Sequence, residues 1–220
     1  SKIACIHFRE NISHAIPTIS NPNNYLETLE YLQNNSYNIF FVGREKMPTE
    51  FKNYNIINYA ESNEVSLLND FKIFYASDIS IICGSGISYI PDTLEKKYLY
   101  INSWHISRPG GYGNRSIVVP SLIEKINEKK ILSFKDQMIL ENSGNHLSSH
   151  FLSKQKYKLR YPSATNILNA TKELIVLNEN TKLNNLQVRF KNDYKNYGFM
   201  KNSKARISES FINQYSELFN

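Results

Sequence analysis

The chain has 220 residues, of which 41% are hydrophobic, and its formal net charge is +6 at neutral pH. This length predicts one α/β domain, or one domain with a helical appendage, that buries a core of its own. No apolar run approaches the roughly 20 residues that span a bilayer, so we expect no transmembrane segment, and no secretory signal is visible. The excess of basic residues favours an anionic partner, which could be a nucleic acid, a membrane surface or a nucleotide-linked substrate.

Two cysteines, Cys5 and Cys83, each lie within an apolar run typical of a buried strand. This placement favours small core residues in a reducing compartment over a disulfide. No second Cys or His stands at metal-ligand spacing from either of them. We therefore predict no metal site.

Short apolar runs alternate with helical patterns through the first 102 residues. Strands are predicted over 3–8, 39–42, 55–59, 79–83 and 97–102, and helices over 23–33 and 66–75, with a helix or turn over 91–97. This alternation predicts an α/β fold with a Rossmann-like, doubly wound parallel sheet. We assign residues 1–120 to this Rossmann-like core. Strand patterns fade after Pro120, so residues 121–220 are predicted to be a C-terminal helical extension of the same domain, with helices over 133–150, 163–178 and 206–219 packed on the sheet.

Two long loops interrupt this pattern. Residues 11–22 are rich in Asn, Ser, Thr and Pro, and we predict that they cover the end of the first strand. Residues 104–119 contain three glycines and two arginines and are long for a plain connection. This second loop is either a lid or specificity loop, or a surface excursion.

The stretch 70–94 carries the strongest candidate for a ligand site. A buried strand ends at Gly84, and Ser85, Gly86 and Ser88 lead into a predicted helix. Open α/β sheets bind ligands at the carboxyl ends of their strands, and a helix start favours an anion such as phosphate. A plain Gly-Ser turn that binds nothing is the structural alternative.

Cations stand at the ends of two other predicted strands. His7 and Arg9 end the first strand and share a face because they are two residues apart, and Arg44 follows the second strand. Parallel strands end at one edge of a sheet, so these side chains should converge with the Gly-Ser turn in a basic cleft. An arginine fork there can bind a diphosphate and stabilise negative charge on a departing phosphate. Taken singly, Arg9 and Arg44 fit surface or ion-pair roles better, so the prediction depends on their convergence.

Other sequence patterns bear on the role of Asp70 and on the class of ligand that the protein binds. Asp70 begins the helix before the 79–83 strand, where it is either a helix cap or first-turn acid, or a residue near a bound nucleotide. The chain has no GxGxxG fingerprint and no GxxxxGK[ST] loop, which weighs against standard dinucleotide enzymes and nucleoside triphosphatases. Basic and aromatic residues are not interleaved as in nucleic-acid modules, so we expect no nucleic-acid partner.

The segments CIHFRE, YLETLEYLQNNSYNIFFVGRE, IINYA, DFKIFYASDISIICGSGISYIPDTLEKKYLYIN and ISESFINQYSELF resemble a group of bacterial glycosyltransferases from surface-polysaccharide gene clusters, over nearly the whole chain. At a greater distance, HFR and DFKIFYASDISIICGSGIS are similar to fucosyltransferases, whose His-x-Arg strand end and Ser-rich turn hold the diphosphate of GDP-fucose. The resemblance implies that Arg9 grips the diphosphate, with His7 beside it, as the catalytic pair. The donor-binding residues that we predict are Arg44, Asp70, Gly84, Ser85, Gly86 and Ser88.

The chain departs from the fucosyltransferases at one point of this motif. Glu10 and Asn11 follow Arg9, where those enzymes often have Arg-Gly-Asp, so the donor need not be GDP-fucose. In that superfamily two Rossmann-like domains face each other in a glycosyltransferase-B arrangement, and the C-terminal one binds the donor. Because this chain starts directly on the His-x-Arg strand, we interpret it as the donor-binding half, with an N-terminal acceptor domain missing or much reduced.

We therefore expect a metal-independent glycosyltransferase, or its donor domain, that transfers a sugar from a nucleotide-sugar to a glycan acceptor in surface-polysaccharide biosynthesis. No cofactor is expected besides the donor, and the expected location is the cytoplasm, with the inner face of the membrane as a variant. The alternative is a non-catalytic nucleotide-binding or partner-docking domain of a polysaccharide-assembly protein. A third option, a basic nucleic-acid binder, would show binding that falls steeply with salt and ignores free nucleotides.

Overall fold

The computed structural model describes residues 1–9, 20–103, 106, 113–143, 149–197 and 203–219. The strands in these ranges are β1 (Lys2–His7), β2 (Tyr37–Val42), β3 (Ile56–Asn58), β4 (Ile79–Cys83), β5 (Tyr98–Ser103), β6 (Ser116–Pro120), β7 (Leu122–Lys125), β8 (Lys130–Ile131), β9 (Tyr157–Arg160) and β10 (Arg206–Ile207). The α-helices are α1 (Leu26–Asn34), α2 (Leu67–Ala76), α3 (Tyr89–Thr93), α4 (Phe134–Asn142), α5 (Ser149–Lys154), α6 (Ala164–Val176), α7 (Asn185–Tyr194) and α8 (Glu209–Gln214).

Seven strands form the central sheet, in the order β10-β6-β5-β4-β1-β2-β3. Neighbouring strands in it run parallel. The chain first builds outward from β1 through β2 and β3, and then returns to place β4 on the other side of β1. The predicted α/β fold with a doubly wound parallel sheet is therefore confirmed, and the direction of strand order reverses between β1 and β4.

Hydrophobic clusters cover both faces of this sheet. Ile6 and Phe8 belong to the larger cluster, which takes in buried residues of α1, α6 and α8. Cys5 belongs to a smaller cluster on the other face, together with Phe74 of α2. Because successive strand residues alternate between faces, Ile6 and Phe8 face the larger cluster and Cys5 faces the smaller one.

The C-terminal part contains strands as well as helices, so the prediction that strand structure ends near Pro120 was wrong. β6 begins within the stretch 104–119 that was predicted to be a long loop, most of which lies outside the described residues, and β10 pairs with β6 to extend the main sheet. β7, β8 and β9 form a separate antiparallel sheet in the order β8-β7-β9. These strands are short, and β9 alternates half-buried and exposed residues, so its apolar signal is weak. The assignment of 1–120 and 121–220 to two parts of one domain stays a prediction.

The predicted C-terminal helices are found only in part. The helix over 163–178 corresponds to α6, whereas 206–219 holds β10, α8 and a final 3-10 turn. The stretch 133–150 holds α4 and the start of α5, with 144–148 outside the described residues. α7 was not predicted: its helix interior has few large apolar residues, and buried Phe190 and Tyr194 supply most of its packing.

Part of the positive charge has a structural role at the amino edge of the sheet. Three lysine ammonium groups there donate to carbonyls at the ends of three helices, namely Lys2 to Asn35 at 3.5 Å, Lys96 to Tyr75 at 2.7 Å and Lys97 to Ile175 at 3.1 Å. Cations are stabilising at helix C-termini, where the backbone carbonyls lack partners within the helix. These three lysines therefore contribute to the basic excess while making structural contacts.

The α-helices that the structure describes have between 5 and 13 residues. Within those residues, none is both long and apolar enough to span a bilayer.

Candidate functional site

A cleft of about 450 Å³ opens at the carboxyl ends of β1, β2 and β4. It includes the reversal point between β1 and β4, which is where open α/β sheets bind ligands. Six of the residues predicted from the sequence line it: His7, Arg9, Arg44, Asp70, Ser85 and Gly86. Five residues that were not predicted complete the lining: Gly43, Glu45, Leu67, Ile87 and Ile90.

Arg9 connects the two strands that flank the reversal point. Its Nη1 donates a hydrogen bond of 2.8 Å to the carbonyl oxygen of Gly84, which follows β4. Gly84 therefore enters the site by holding Arg9 and does not itself line the cleft. Because this acceptor is neutral, the bond fixes the guanidinium without cancelling its charge.

The Gly-Ser turn is held by its own hydrogen bonds. The Ser85 hydroxyl accepts from the backbone N–H of Ile87 at 3.2 Å, and the Ser88 hydroxyl donates to the Ser85 carbonyl. Ser88 is buried and is not among the lining residues, so the turn offers a ligand Ser85 and the exposed backbone of Gly86. The helical structure that follows consists of a three-residue 3-10 turn and the five-residue α3, which is shorter than the helix we expected.

Arg44 and Asp70 form an ion pair across the cleft wall. Arg44 Nη2 and Nη1 lie 2.7 Å and 3.3 Å from the two carboxylate oxygens of Asp70. The hydrogen bonds that Arg44 donates to Asp70 raise the pKa of Arg44 above its ordinary value. Asp70 is a first-turn acid of α2, whose N-cap is Ser66, so the helix role proposed from the sequence and a place in the cleft occur together. Within the described residues, this pairing leaves Arg9 as the lining arginine without a carboxylate partner.

His7 is 3% exposed and lies against Gly43 at the end of β2. Burial, and next the positive charge of Arg9, lower the pKa of His7 to about 4. The ring is therefore neutral at physiological pH. It can exchange hydrogen bonds there, but it is neither a cation nor an effective base.

Gly43 has the geometry of a position that only glycine fills without strain. Its φ is +115°, and an added Cβ would lie 2.7 Å from His7 Cδ2. We expect Gly43→Ala to lower the free energy of unfolding by about 1–3 kcal/mol and to displace the His7 ring. The measurement is urea unfolding, with Gly86→Ala as the matched control. A Cβ at Gly86 meets nothing within 4 Å and should change stability by less than about 0.5 kcal/mol. Equal stability of the two variants would contradict the packing described for His7.

The lowered pKa of His7 predicts a pH dependence of stability. The unfolded chain binds a proton at this residue near pH 6.5, whereas the folded protein does so only near pH 4. Between these values the unfolded state holds more protons, so stability falls as the pH falls. In urea unfolding between pH 4.5 and 6.5, His7→Gln should reduce the slope of unfolding free energy against pH by up to about 1.4 kcal/mol per pH unit. An unchanged slope would show that His7 titrates normally.

Across the part of the chain that the structure describes, no group of three or more His, Cys, Asp and Glu side chains could hold a metal ion. Cys5 and Cys83 are both buried and neither forms a disulfide, which confirms the prediction of core thiols.

Comparison with known proteins adds a structural likeness. No protein-family model matches this chain, and no curated protein matches it. A solved structure that is similar is the bacterial iron-containing dodecameric glycosyltransferase TibC from enterotoxigenic E. coli H10407, with a TM-score of 0.39 and 15% identity. The neighbour is a glycosyltransferase. The similarity covers 52% of this chain and 30% of TibC, so the chain corresponds to less than a third of that protein. None of these matches supports the finer, fucosyltransferase-like resemblance.

Proposed function

We propose that this chain binds the diphosphate of a nucleotide-sugar in the cleft and forms the donor-binding part of a glycosyltransferase. The observation that carries the proposal is the position of Arg9. Its guanidinium lies at the reversal point of the sheet, fixed by the Gly84 carbonyl and beside the Ser85–Gly86 turn. A charged fork held in place at such a point suits a diphosphate better than a neutral ligand.

Arg9 supplies the chemistry that a departing nucleotide needs. A guanidinium has five N–H donors, and the bond to Gly84 uses one of them. When the acceptor hydroxyl attacks the anomeric carbon, the bond from that carbon to the β-phosphate oxygen breaks and the electron pair stays on the phosphate. The acceptor proton leaves to a base or to solvent. The remaining donors of Arg9 stabilise the new charge, so we assign to Arg9 the charge stabilisation that a metal ion supplies in metal-dependent transferases.

The other lining residues fit the rest of a nucleotide-sugar. Leu67, Ile87 and Ile90 form an apolar wall that suits the face of a nucleobase, and the Glu45 carboxylate can accept hydrogen bonds from sugar hydroxyls. Arg44 and Asp70 neutralise each other, so their role in the proposal is to shape the wall beside the donor.

The proposal extends beyond the cleft through the resemblance of the sequence segments. It comprises a glycan acceptor, a place in surface-polysaccharide biosynthesis, a cytoplasmic site of action at or near the inner face of the membrane, and an N-terminal acceptor domain that completes the enzyme. Each of these parts needs its own test, because the residues that line the cleft concern only the binding of the donor.

A thermal-shift screen tests the donor site. GDP, UDP, CDP, ADP and NAD are compared with the matching nucleosides and with inorganic pyrophosphate. We expect one nucleoside diphosphate, at about 100 times its Kd, to raise the melting temperature by roughly 5–10 °C, and its nucleoside to do much less. If no phosphate-bearing ligand shifts the melting temperature at millimolar concentration, the proposal fails. Release of the same diphosphate from its nucleotide-sugar would support catalysis, whereas binding without release would favour the non-catalytic nucleotide-binding alternative.

A further inference from the structure

Behind the cleft, buried polar side chains form a hydrogen-bonded chain that ends on His7. Tyr25 Oη and Asn102 Nδ2 both donate to the Ser20 hydroxyl oxygen, at 3.0 Å and 2.7 Å. Ser20 lies beside the Cys83 thiol and lowers its pKa, and Cys83 Sγ lies 3.4 Å from His7 Nδ1. All five residues are at most 3% exposed. These five side chains are therefore shielded from water. Among the described residues, their hydrogen atoms have few alternative acceptors.

The donors and acceptors in this chain point in one direction. A serine hydroxyl has two lone pairs and one hydrogen. Tyr25 and Asn102 occupy both lone pairs of Ser20, so the Ser20 hydrogen is left for the neighbouring Cys83 sulfur, a direction that agrees with the lowering of the Cys83 pKa by Ser20. Burial raises the pKa of Cys83 to about 12, so this thiol keeps its proton at neutral pH. Because a thiol sulfur is only a weak acceptor, the S–H of Cys83 is left to donate to His7 Nδ1, 3.4 Å away.

The direction of the chain determines which nitrogen of His7 carries the proton. If Nδ1 accepts from Cys83, a neutral imidazole has its hydrogen on Nε2. The Nε2–Cδ2 edge of the ring lies toward Gly43, where no side chain intervenes, and both residues line the cleft. We propose that Ser20 and Cys83 hold His7 in the Nε2–H tautomer, so that the neutral ring donates a hydrogen bond to an anionic oxygen in the cleft. The identity of that oxygen rests on the proposed function, whereas the tautomer does not.

Ser20 also holds the neighbouring arginine. Its backbone N–H donates to the carbonyl of Arg9 at 3.0 Å. Asn102, which donates to Ser20, adopts a left-handed φ of 56° at the end of β5, a conformation that asparagine tolerates better than most residues. Ser20, Cys83 and Asn102 are thus positioning residues: they act on a ligand through His7 and Arg9.

A competing arrangement has the opposite polarity. His7 could instead donate from Nδ1 to the backbone carbonyl of Cys83, a group whose influence raises the pKa of the ring. Nε2 would then be an acceptor and would repel a phosphate oxygen. The two arrangements differ in a property that nitrogen NMR reads directly.

The test is a long-range proton–nitrogen correlation spectrum of the full chain labelled with ¹⁵N-histidine, recorded near pH 7. The His7 signals are identified by their loss in His7→Gln. We expect a protonated, pyrrole-type Nε2 and an unprotonated, pyridine-type Nδ1. Cys83→Ser retains a donor and should keep this pattern, whereas Cys83→Ala should lose it in favour of mixed or reversed tautomers. Cys5→Ala, at the other buried cysteine, is the matched control and should leave the pattern unchanged.

Addition of inorganic pyrophosphate separates this inference from the proposed function. We expect the Nε2 proton signal to shift on binding, and the Kd to rise roughly fivefold in Cys83→Ala but not in Cys5→Ala. A protonated Nδ1 in the native protein, or a pattern that Cys83→Ala leaves intact, would overturn the inference even if pyrophosphate binds. A protonated Nε2 without any pyrophosphate binding would uphold the tautomer and overturn the donor site.

Discussion

Arg9→Ala is expected to weaken nucleoside-diphosphate binding by roughly 10- to 100-fold, because it removes a charge-assisted hydrogen bond to the phosphates. If the protein turns over a nucleotide-sugar, the rate should fall further, by about 10²- to 10³-fold, since the charge that Arg9 stabilises grows as the diphosphate departs. Arg9→Lys should recover part of the binding and less of the rate, because lysine restores the charge but lacks the planar fork that also reaches the Gly84 carbonyl. The measurements are calorimetric titration and diphosphate release.

Two controls keep the Arg9 result interpretable. Arg115→Ala removes an arginine of similar chemistry that pairs with Glu179 outside the cleft, and it should bind nucleotide normally. The circular dichroism and melting temperature of ligand-free Arg9→Ala show whether the fold survives. If a folded Arg9→Ala protein bound the nucleoside diphosphate as tightly as the native protein does, the diphosphate would not be held by Arg9 and the assignment would be wrong.

Phe8→Ala is expected to be the most destabilising single change near the site, at about 3–5 kcal/mol. The Phe8 ring is fully buried and packs edge-on against Tyr25 and Phe51, with ring centroids 5.6 Å and 5.8 Å away. Phe8 lies between His7 and Arg9 in the sequence, so removing its ring leaves a cavity in the main core at the strand end that carries both site residues. Thermal unfolding should show a fall in melting temperature of roughly 6–20 °C.

The matched variants for Phe8 separate volume from chemistry. Phe8→Leu keeps most of the apolar volume and should cost much less than Phe8→Ala. Val176→Ala, at an exposed position, should be nearly neutral. A loss below about 1 kcal/mol in Phe8→Ala would contradict the tightly packed core described beneath the cleft.

The sequence was most informative where local pattern and parallel topology coincide. The apolar run before Gly84 forms β4 with the bounds that were predicted, because a fully buried central strand reads as continuous hydrophobic sequence. Arg9, Arg44 and Ser85 come together because parallel strands end at one edge of the sheet. That convergence follows from the alternation of strands and helices and needs no knowledge of packing.

The features that could not be predicted from the sequence depend on contacts between residues far apart in the chain. The Arg44–Asp70 pair joins residues 26 positions apart and turns a predicted basic cleft into one with a single unpaired arginine within the described lining. Gly43 reads as an ordinary turn glycine, and its contact with His7 appears only when β2 lies beside β1. The two Cys residues looked alike in sequence, yet only Cys83 lies within hydrogen-bonding distance of His7.

The small antiparallel sheet was missed for a related reason. Leu122 and Ile123 of β7 are buried, but the partner strands are the two-residue β8 and the half-exposed, charged β9. Neither partner carries a strong period-two apolar pattern, so pairing rather than intrinsic preference produces these strands.

The most direct test of the central claim is a crystal structure of the chain with the nucleoside diphosphate that stabilises it most. The account predicts the diphosphate at the carboxyl ends of β1 and β4, with the Arg9 guanidinium and the Ser85–Gly86 turn within hydrogen-bonding distance of its oxygens. A nucleotide bound at the opposite edge of the sheet, among Lys96, Lys97 and Arg115, with an empty cleft at Arg9, would contradict it.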